Sequence, residues 1–293
     1  MLLGTIEQGL IFAIMALGLY ISYKILDFPD LTVDGSFPMG ASIVSILIIK
    51  GFNPILALGV AFIGGSLAGF ITGYIHIKFK ITNLLAGIIV MTGLYSINLR
   101  IMGRSNIPLF GIDNIFSNRP NLFIILFIVL LSKFFLDYLL KTKFGFSLRA
   151  LGDNETLVIS LGIDQKKLKI IGLMLANGLV ALSGGILAQY QGFSDISMGT
   201  GTIVTGLASI IIGESVLKKG KMLNVTTIVI IGSILYRFII LGSLKIGFNA
   251  SDIKLITAIL TVGIMAFKGK KFKLTFPLLF KKKLGGVFQN AQN

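Results

Sequence analysis

Residues 53–77 read NPILALGVAFIGGSLAGFITGYIHI, 25 residues with no acidic side chain, no lysine and no arginine. A helix rises about 1.5 Å per residue, so a segment of this length can cross a hydrocarbon core of about 30 Å. Its backbone polar groups must then be satisfied internally, which lipid permits only for a helix or a closed barrel. Asn53-Pro54 suits a helix start, because proline at the first helical position gives up an N–H that has no partner there. Gly65, Gly69 and Gly73 recur every fourth residue on one face, which lets a second helix approach closely; internal packing is favoured over a dimer face.

The rest of the chain repeats this composition. Of 293 residues 54% are hydrophobic and only 13% charged, against about a quarter charged in soluble domains, and the mean hydropathy is +0.90. This predicts an all-α integral membrane protein. Apolar runs place spans near 2–22, 36–50, 53–77, 82–102, 121–140, 169–191, 200–217, 222–242 and 252–267. The expectation is therefore about nine transmembrane helices, between eight and ten, in one transmembrane domain over 1–267, followed by a basic tail, 268–293. Leu2 opens an apolar run without a basic leader, which reads as a retained first span. With no Cys and one His, His76, there is no thiolate chemistry and no histidine cluster for a metal.

Charge supplies the orientation. The chain carries 27 Lys+Arg against 12 Asp+Glu, a formal net charge of +15, and the basic residues gather in alternate loops: Lys24, then Lys78 and Lys80, then 141–169, then Lys218, Lys219 and Lys221, then the tail. By the positive-inside rule these face the cytoplasm. The C-terminus is then cytoplasmic and, with nine spans, the N-terminus is outside; a re-entrant segment near 23–50 would reverse the first span. The tail fits adhesion to anionic lipid rather than a nucleic acid.

Two spans, 36–50 and 200–217, are short and Gly-rich at their starts. The text before them is similar: Phe28-Pro29-Asp30-Leu31-Thr32-Val33 leads into Asp34-Gly35-Ser36, and Phe193-Ser194-Asp195-Ile196-Ser197-Met198 into Gly199-Thr200-Gly201. Such pairs of interrupted segments point to two inverted repeats with discontinuous helices, whose ends line a substrate path. The candidate path residues are Asp30, Thr32, Asp34, Gly35, Ser36, Asp195, Ser197, Gly199, Thr200 and Gly201. Helix N-termini here would offer N–H groups to a substrate carboxylate; the aspartates would cap those helices or meet a substrate amine or a binding protein. Glu7, Gln8, Asn98, Asn177 and Arg237 are the polar exceptions within spans, and groups at such depth face a cavity or a partner.

The longest polar segment between spans is KTKFGFSLRALGDNETLVISLGIDQKKLK, residues 141–169. Its middle predicts an amphipathic helix, with Leu148, Leu151, Leu157, Val158 and Leu161 toward one side. Gly145, Arg149-Ala150, Asn154 and Gly162-Ile163, followed by lysines and a new span, resemble the coupling loop of permease subunits in bacterial ATP-binding-cassette importers. The similarity is to the branched-chain amino acid and ribose permease family and covers roughly residues 5–267. Leu31-Thr32-Val33-Asp34-Gly35-Ser36-Phe37 resembles the early loop of a subgroup paired with amino-acid-binding lipoproteins, aromatic amino acids included. The short N-terminus departs from the sugar permeases of the family.

The resemblance implies a second permease copy, a homodimer being favoured, two cytoplasmic ATPase subunits, an extracellular solute-binding (lipo)protein, and the plasma membrane of a bacterium. It assigns Gly145, Arg149, Ala150, Asn154, Glu155, Gly162 and Ile163 to contact with the ATPase, and alternating access as the mechanism. No cofactor is expected in this chain, and ATP belongs to the partner: Gly213 to Gly220 reads GESVLKKG and fails the phosphate-loop pattern. An ion-gradient carrier would share the inverted repeat without an ATPase. An integral membrane lipid enzyme is a further alternative, disfavoured by one His, no Cys and no paired acidic cluster.

Overall fold

The computed structural model describes residues 2–117, 120–217, 224–247, 252, 255–259 and 262–263. The first span is α1, Leu2–Leu19, continued by a π-helical turn, Tyr20–Ile25; then follow α2, Val33–Ile49, α3, Pro54–Phe79, and α4, Asn83–Met102. After the short strand β1, Asn106–Pro108, come α5, Asn121–Leu139, α6, Lys143–Asp153, α7, Glu155–Ser160, and α8, Gln165–Gln191. Strand β2, Phe193–Asp195, and a 3₁₀ turn, Ile196–Gly199, lead into α9, Thr202–Val216, and α10, Val225–Lys245. Among the described residues seven helical segments are long and apolar enough to cross a membrane, with α2 as a shorter eighth. The span expected at 252–267 and the tail 268–293 lie largely or wholly outside the described residues.

Close glycine contacts fix how the helices run. Gly65 of α3 meets Asn177 and Ala181 of α8, Gly69 meets Leu173, and Gly73 meets Ile170, so the two are antiparallel and their backbones nearly touch. α2 runs parallel to α8, with Gly40 against Ala181 and Val44 against Gly185. α1 is antiparallel to α8: Ser183 donates to the Ile11 carbonyl at 2.7 Å, and Gly18 packs on Ala176 and Val180.

The second half repeats this arrangement upside down. α10 lies antiparallel to α1, with Gly9 against Ile234 and Ser233 donating to the Gly9 carbonyl at 2.8 Å. α9 runs alongside α1, Gly206 facing Met15 and Leu19. Thus α1–α2–α3 and α8–α9–α10 are inverted counterparts, α3 packing on α8 as α10 packs on α1. The 28–36 and 193–201 segments are the matching corners.

Both corners break a helix, slightly away from the predicted boundaries. α2 begins at Val33 rather than 36. The second segment divides into the 3₁₀ turn and α9 because Gly201 sits at φ +83°, where a side chain would be strained. The core lies around α1 and α8, where Ile11, Ile14, Leu17, Ala176 and Val180 are fully buried. α5 turns Phe123, Phe127, Leu131 and Phe134 outward, the surface expected against lipid.

Candidate substrate path and coupling elements

The two corners meet inside the bundle through Asp34. One carboxylate oxygen accepts from the Gly201 N–H at 3.0 Å, and the other from the Ile203 N–H at 2.9 Å and the Thr202 hydroxyl at 2.8 Å. Asp34 thus caps the N-terminus of α9, the helix of the opposite repeat, where the helix dipole favours negative charge. Gly199 makes this possible, since a Cβ there would collide with the Asp34 carbonyl and Pro38. Asp34 occupies the place anticipated for a substrate carboxylate, and the first N–H groups of α9 are not free. At α2, the Gly35 and Ser36 N–H groups both donate to the Thr32 carbonyl at 2.8 Å.

Asp30 and Asp195 are structural twins. Each carboxylate accepts from the N–H two residues ahead, Thr32 at 2.9 Å and Ser197 at 2.7 Å, an Asx turn that starts the following helix. Each also accepts from an asparagine amide, Asn177 at 2.7 Å and Asn106 at 3.1 Å. Their surroundings differ. Asp30 is fully buried, and its network extends through Asn177, whose carbonyl oxygen accepts from Ser36 at 2.7 Å; Thr32 pairs with Thr72 of α3 at 2.7 Å. Asp195 is half-buried at the β1–β2 ribbon, where Asn106, Ile107 and Pro108 pair antiparallel with Asp195, Ser194 and Phe193. Burial acts to raise the Asp195 pKa, but the hydrogen bonds from Ser197 and Asn106 outweigh it and hold the carboxyl below its ordinary value.

Of the ten residues predicted for the path, Asp30, Thr32, Gly35, Ser36 and Gly199 are buried in packing; Ser197 and Thr200 are exposed, and Asp34, Asp195 and Gly201 lie between. The groups that complete the site were not assigned to it: Asn177, Asn106, Thr72, and Asn98, which donates to the Gly35 carbonyl at 3.0 Å. Asn98 and Asn177 stand out in the sequence as amides inside apolar runs, which was the available signal. Thr72 has none, because a threonine in a membrane helix can bond its own backbone, as it also does here to Ala68 at 3.1 Å.

At the far end of α8 from the ribbon, the 141–169 segment forms two helices instead of one. Asn154 breaks the run at φ −157°, ψ 98° and caps α7 by accepting from Leu157 at 3.1 Å. The turn reorients the predicted apolar stripe. Leu148, Leu151 and Val158 are buried toward the bundle, while Leu157 and Leu161 face outward with Ile159 and Phe146. Gly145 packs on the Leu139 and Leu140 backbone, and Gly162 closes the segment at φ +72°. Glu155 pairs with Lys169 of α8 at 2.9 Å, Arg149, Ala150 and Ile163 are half-buried, and Asp164 caps α8 by accepting from the Lys166 and Lys167 N–H groups. The result is a corner fastened to α8, whose outer surface mixes Phe146, Leu157, Ile159 and Leu161 with Lys143, Asp153 and Thr156.

The family described as "Branched-chain amino acid transport system / permease component" has a sequence model that matches residues 1–266. The chain is 50% identical over 266 residues to the tyrosine transport system permease protein of Clostridioides difficile, covering 90% of each. It is 29% identical over 221 residues to a probable branched-chain amino acid transport permease protein of Methanocaldococcus jannaschii, covering 69% of each. Among solved structures, PsaBC from Streptococcus pneumoniae in complex with Fab shares the fold, with a TM-score of 0.55, 15% identity and 89% of each chain covered.

Proposed function

Since this chain belongs to the branched-chain amino acid permease family of ATP-binding-cassette importers, and so to the transporters that carry amino acids across a membrane, we propose that its cargo is an aromatic amino acid, tyrosine first, and that residues 1–267 act as one permease domain. Two copies form the path, a separate ATPase binds the α6–α7 corner from the cytoplasm, and a binding lipoprotein delivers cargo at the opposite face. The observation that carries this reading is the α6–α7 corner itself. It lies beside the basic loops, exposes Phe146, Leu157, Ile159 and Leu161, and is tied to α8 by Glu155 and Lys169. An amphipathic surface with that rim suits a groove on a partner.

Cargo moves by alternating access. ATP-driven movement of the corners shifts α8 and α1 as rigid bodies, and the contact of Asp34 with α9 opens or closes the route past Thr200 and Ser197. The basic tail holds the C-terminal end at the cytoplasmic leaflet, and acidic lipids support it. The test is uptake of labelled tyrosine by proteoliposomes holding this chain, its ATPase and its lipoprotein. Uptake that needs ATP and is lost when Arg149→Glu removes the ATPase from the purified complex is expected. Uptake that survives without ATP and fails with an uncoupler overturns it in favour of a gradient-driven carrier.

A further inference from the structure

The last turn of the first span is wound wider than the rest. Tyr20–Ile25 is π-helical, and the turn closes with Leu26 N–H donating to the Ile21 carbonyl, five residues back, at 3.0 Å. A π turn holds one residue more than an α turn and recurs at functional sites. Its sequence, YISYKI, contains no proline or glycine; the one local distortion is the Ser22 hydroxyl, which donates to the Leu19 carbonyl at 3.2 Å. Beyond it Asp27 adopts φ +50° and the Phe28 N–H reaches back to the Ser22 carbonyl at 2.8 Å.

Three bodies meet on this turn. Gly152 of α6 lies directly on the Ile25 carbonyl and the Leu26 backbone, so close that a Cβ would overlap the Ile25 oxygen. Gly172 of α8 receives the Leu26 side chain together with Leu148 of α6, and Lys24 stands 3.7 Å from Glu214 near the end of α9. On the other side the chain enters the segment Phe28–Asp34, fixed to α8 through Asp30 and Asn177, to α3 through Thr32 and Thr72, and to the start of α9 through Asp34.

We propose that the π turn Tyr20–Ile25 is the joint through which α6 moves the Phe28–Asp34 segment and, through Asp34, α9, by passing between π and α winding. The proposal rests on the reading of α6 as a coupling helix. Rewinding to α feeds one residue into the segment that follows, about 1.5 Å of travel, and supplies the two discrete arrangements that coupling between distant sites requires. Gly152 serves as a positioning residue. Backbone rests on backbone there, so in a close-packed interior displacement of α6 passes directly to Ile25.

The experiment compares tyrosine taken up per ATP hydrolysed in the reconstituted transporter. Deletion of Tyr23 removes the extra residue, and Gly152→Ala alters the contact; each is expected to keep the ATPase bound and hydrolysing while lowering uptake per ATP at least tenfold. Gly59→Ala, whose Cβ would meet nothing within 4 Å, is expected to leave the ratio unchanged. Normal ratios in both test variants overturn the joint. A wild-type chain that never binds an ATPase defeats the importer reading instead. Should either variant fail to assemble, spin labels at Asp27→Cys and Lys78→Cys in the otherwise intact transporter decide the matter. A change in their separation on trapping with ATP and vanadate supports the joint, and an unchanged separation overturns it.

Discussion

The Asp34 carboxylate joins the two repeats directly. It satisfies two N–H groups of α9 and one hydroxyl across the line where the repeats meet. Loss of a cap costs about 1–2 kcal/mol, and donors left buried without a partner add to that. Asp34→Ala is therefore expected to destabilise the fold by about 2 kcal/mol in reversible mixed-micelle unfolding, and Asp34→Asn, which keeps one acceptor, by roughly half as much. Asp195 adds a dependence on pH. Its folded pKa lies below the ordinary carboxylate value, so its contribution is complete above the unfolded pKa, near 3.9, and disappears only as the pH falls through the lower folded value. Hydrogen exchange at Ile107 and Ser194, corrected for intrinsic rate, should show constant protection between about pH 5 and pH 8; a loss within that window would assign the ribbon to another titrating group.

At the scale of elements, helix contacts depend on the absence of side chains. Gly69 faces the Leu173 backbone of α8 without room for a Cβ, and lipid supplies no hydrophobic drive that could offset a lost helix contact. Gly69→Val is expected to separate α3 from α8 and cost about 3 kcal/mol, within the range for overpacking, whereas Gly59→Val, toward open surface, should cost less than about 0.5 kcal/mol. Unfolding of the two variants side by side checks this. The four-residue glycine spacing was legible in the sequence because a helix face has a fixed period. The break in the 141–169 segment was not, since Asn154 reads equally as a solvent-facing residue and as a cap; the backbone angle that separates α6 from α7 decides it. The capping role of Asp34 was half legible. An acidic residue at a helix start suggests a cap, but proximity in sequence points to α2, and only the inverted packing delivers it to α9.

For the whole molecule, the inverted halves set the two faces before any charge is considered. The β1–β2 ribbon and Phe110, 76% exposed and lying over Gly192, sit at one end of α8; Glu155 sits at the other, held to Lys169. The α8 helix between them, Gln165–Gln191 with 27 residues, rises about 40 Å, more than a hydrocarbon core. The two positions therefore cannot share a side. We propose that the Glu155 end is cytoplasmic, because Lys78, Lys80, Lys141, Lys143, Lys166 and Lys167 all fall there and inward-facing loops collect lysine. The chain has no cysteine of its own, so single Cys variants give a clean readout. In intact cells Phe110→Cys should react with an impermeant maleimide and Glu155→Cys should react only after the membrane is opened. The reverse pattern would place the α6–α7 corner outside the cell, where no ATPase could act on it.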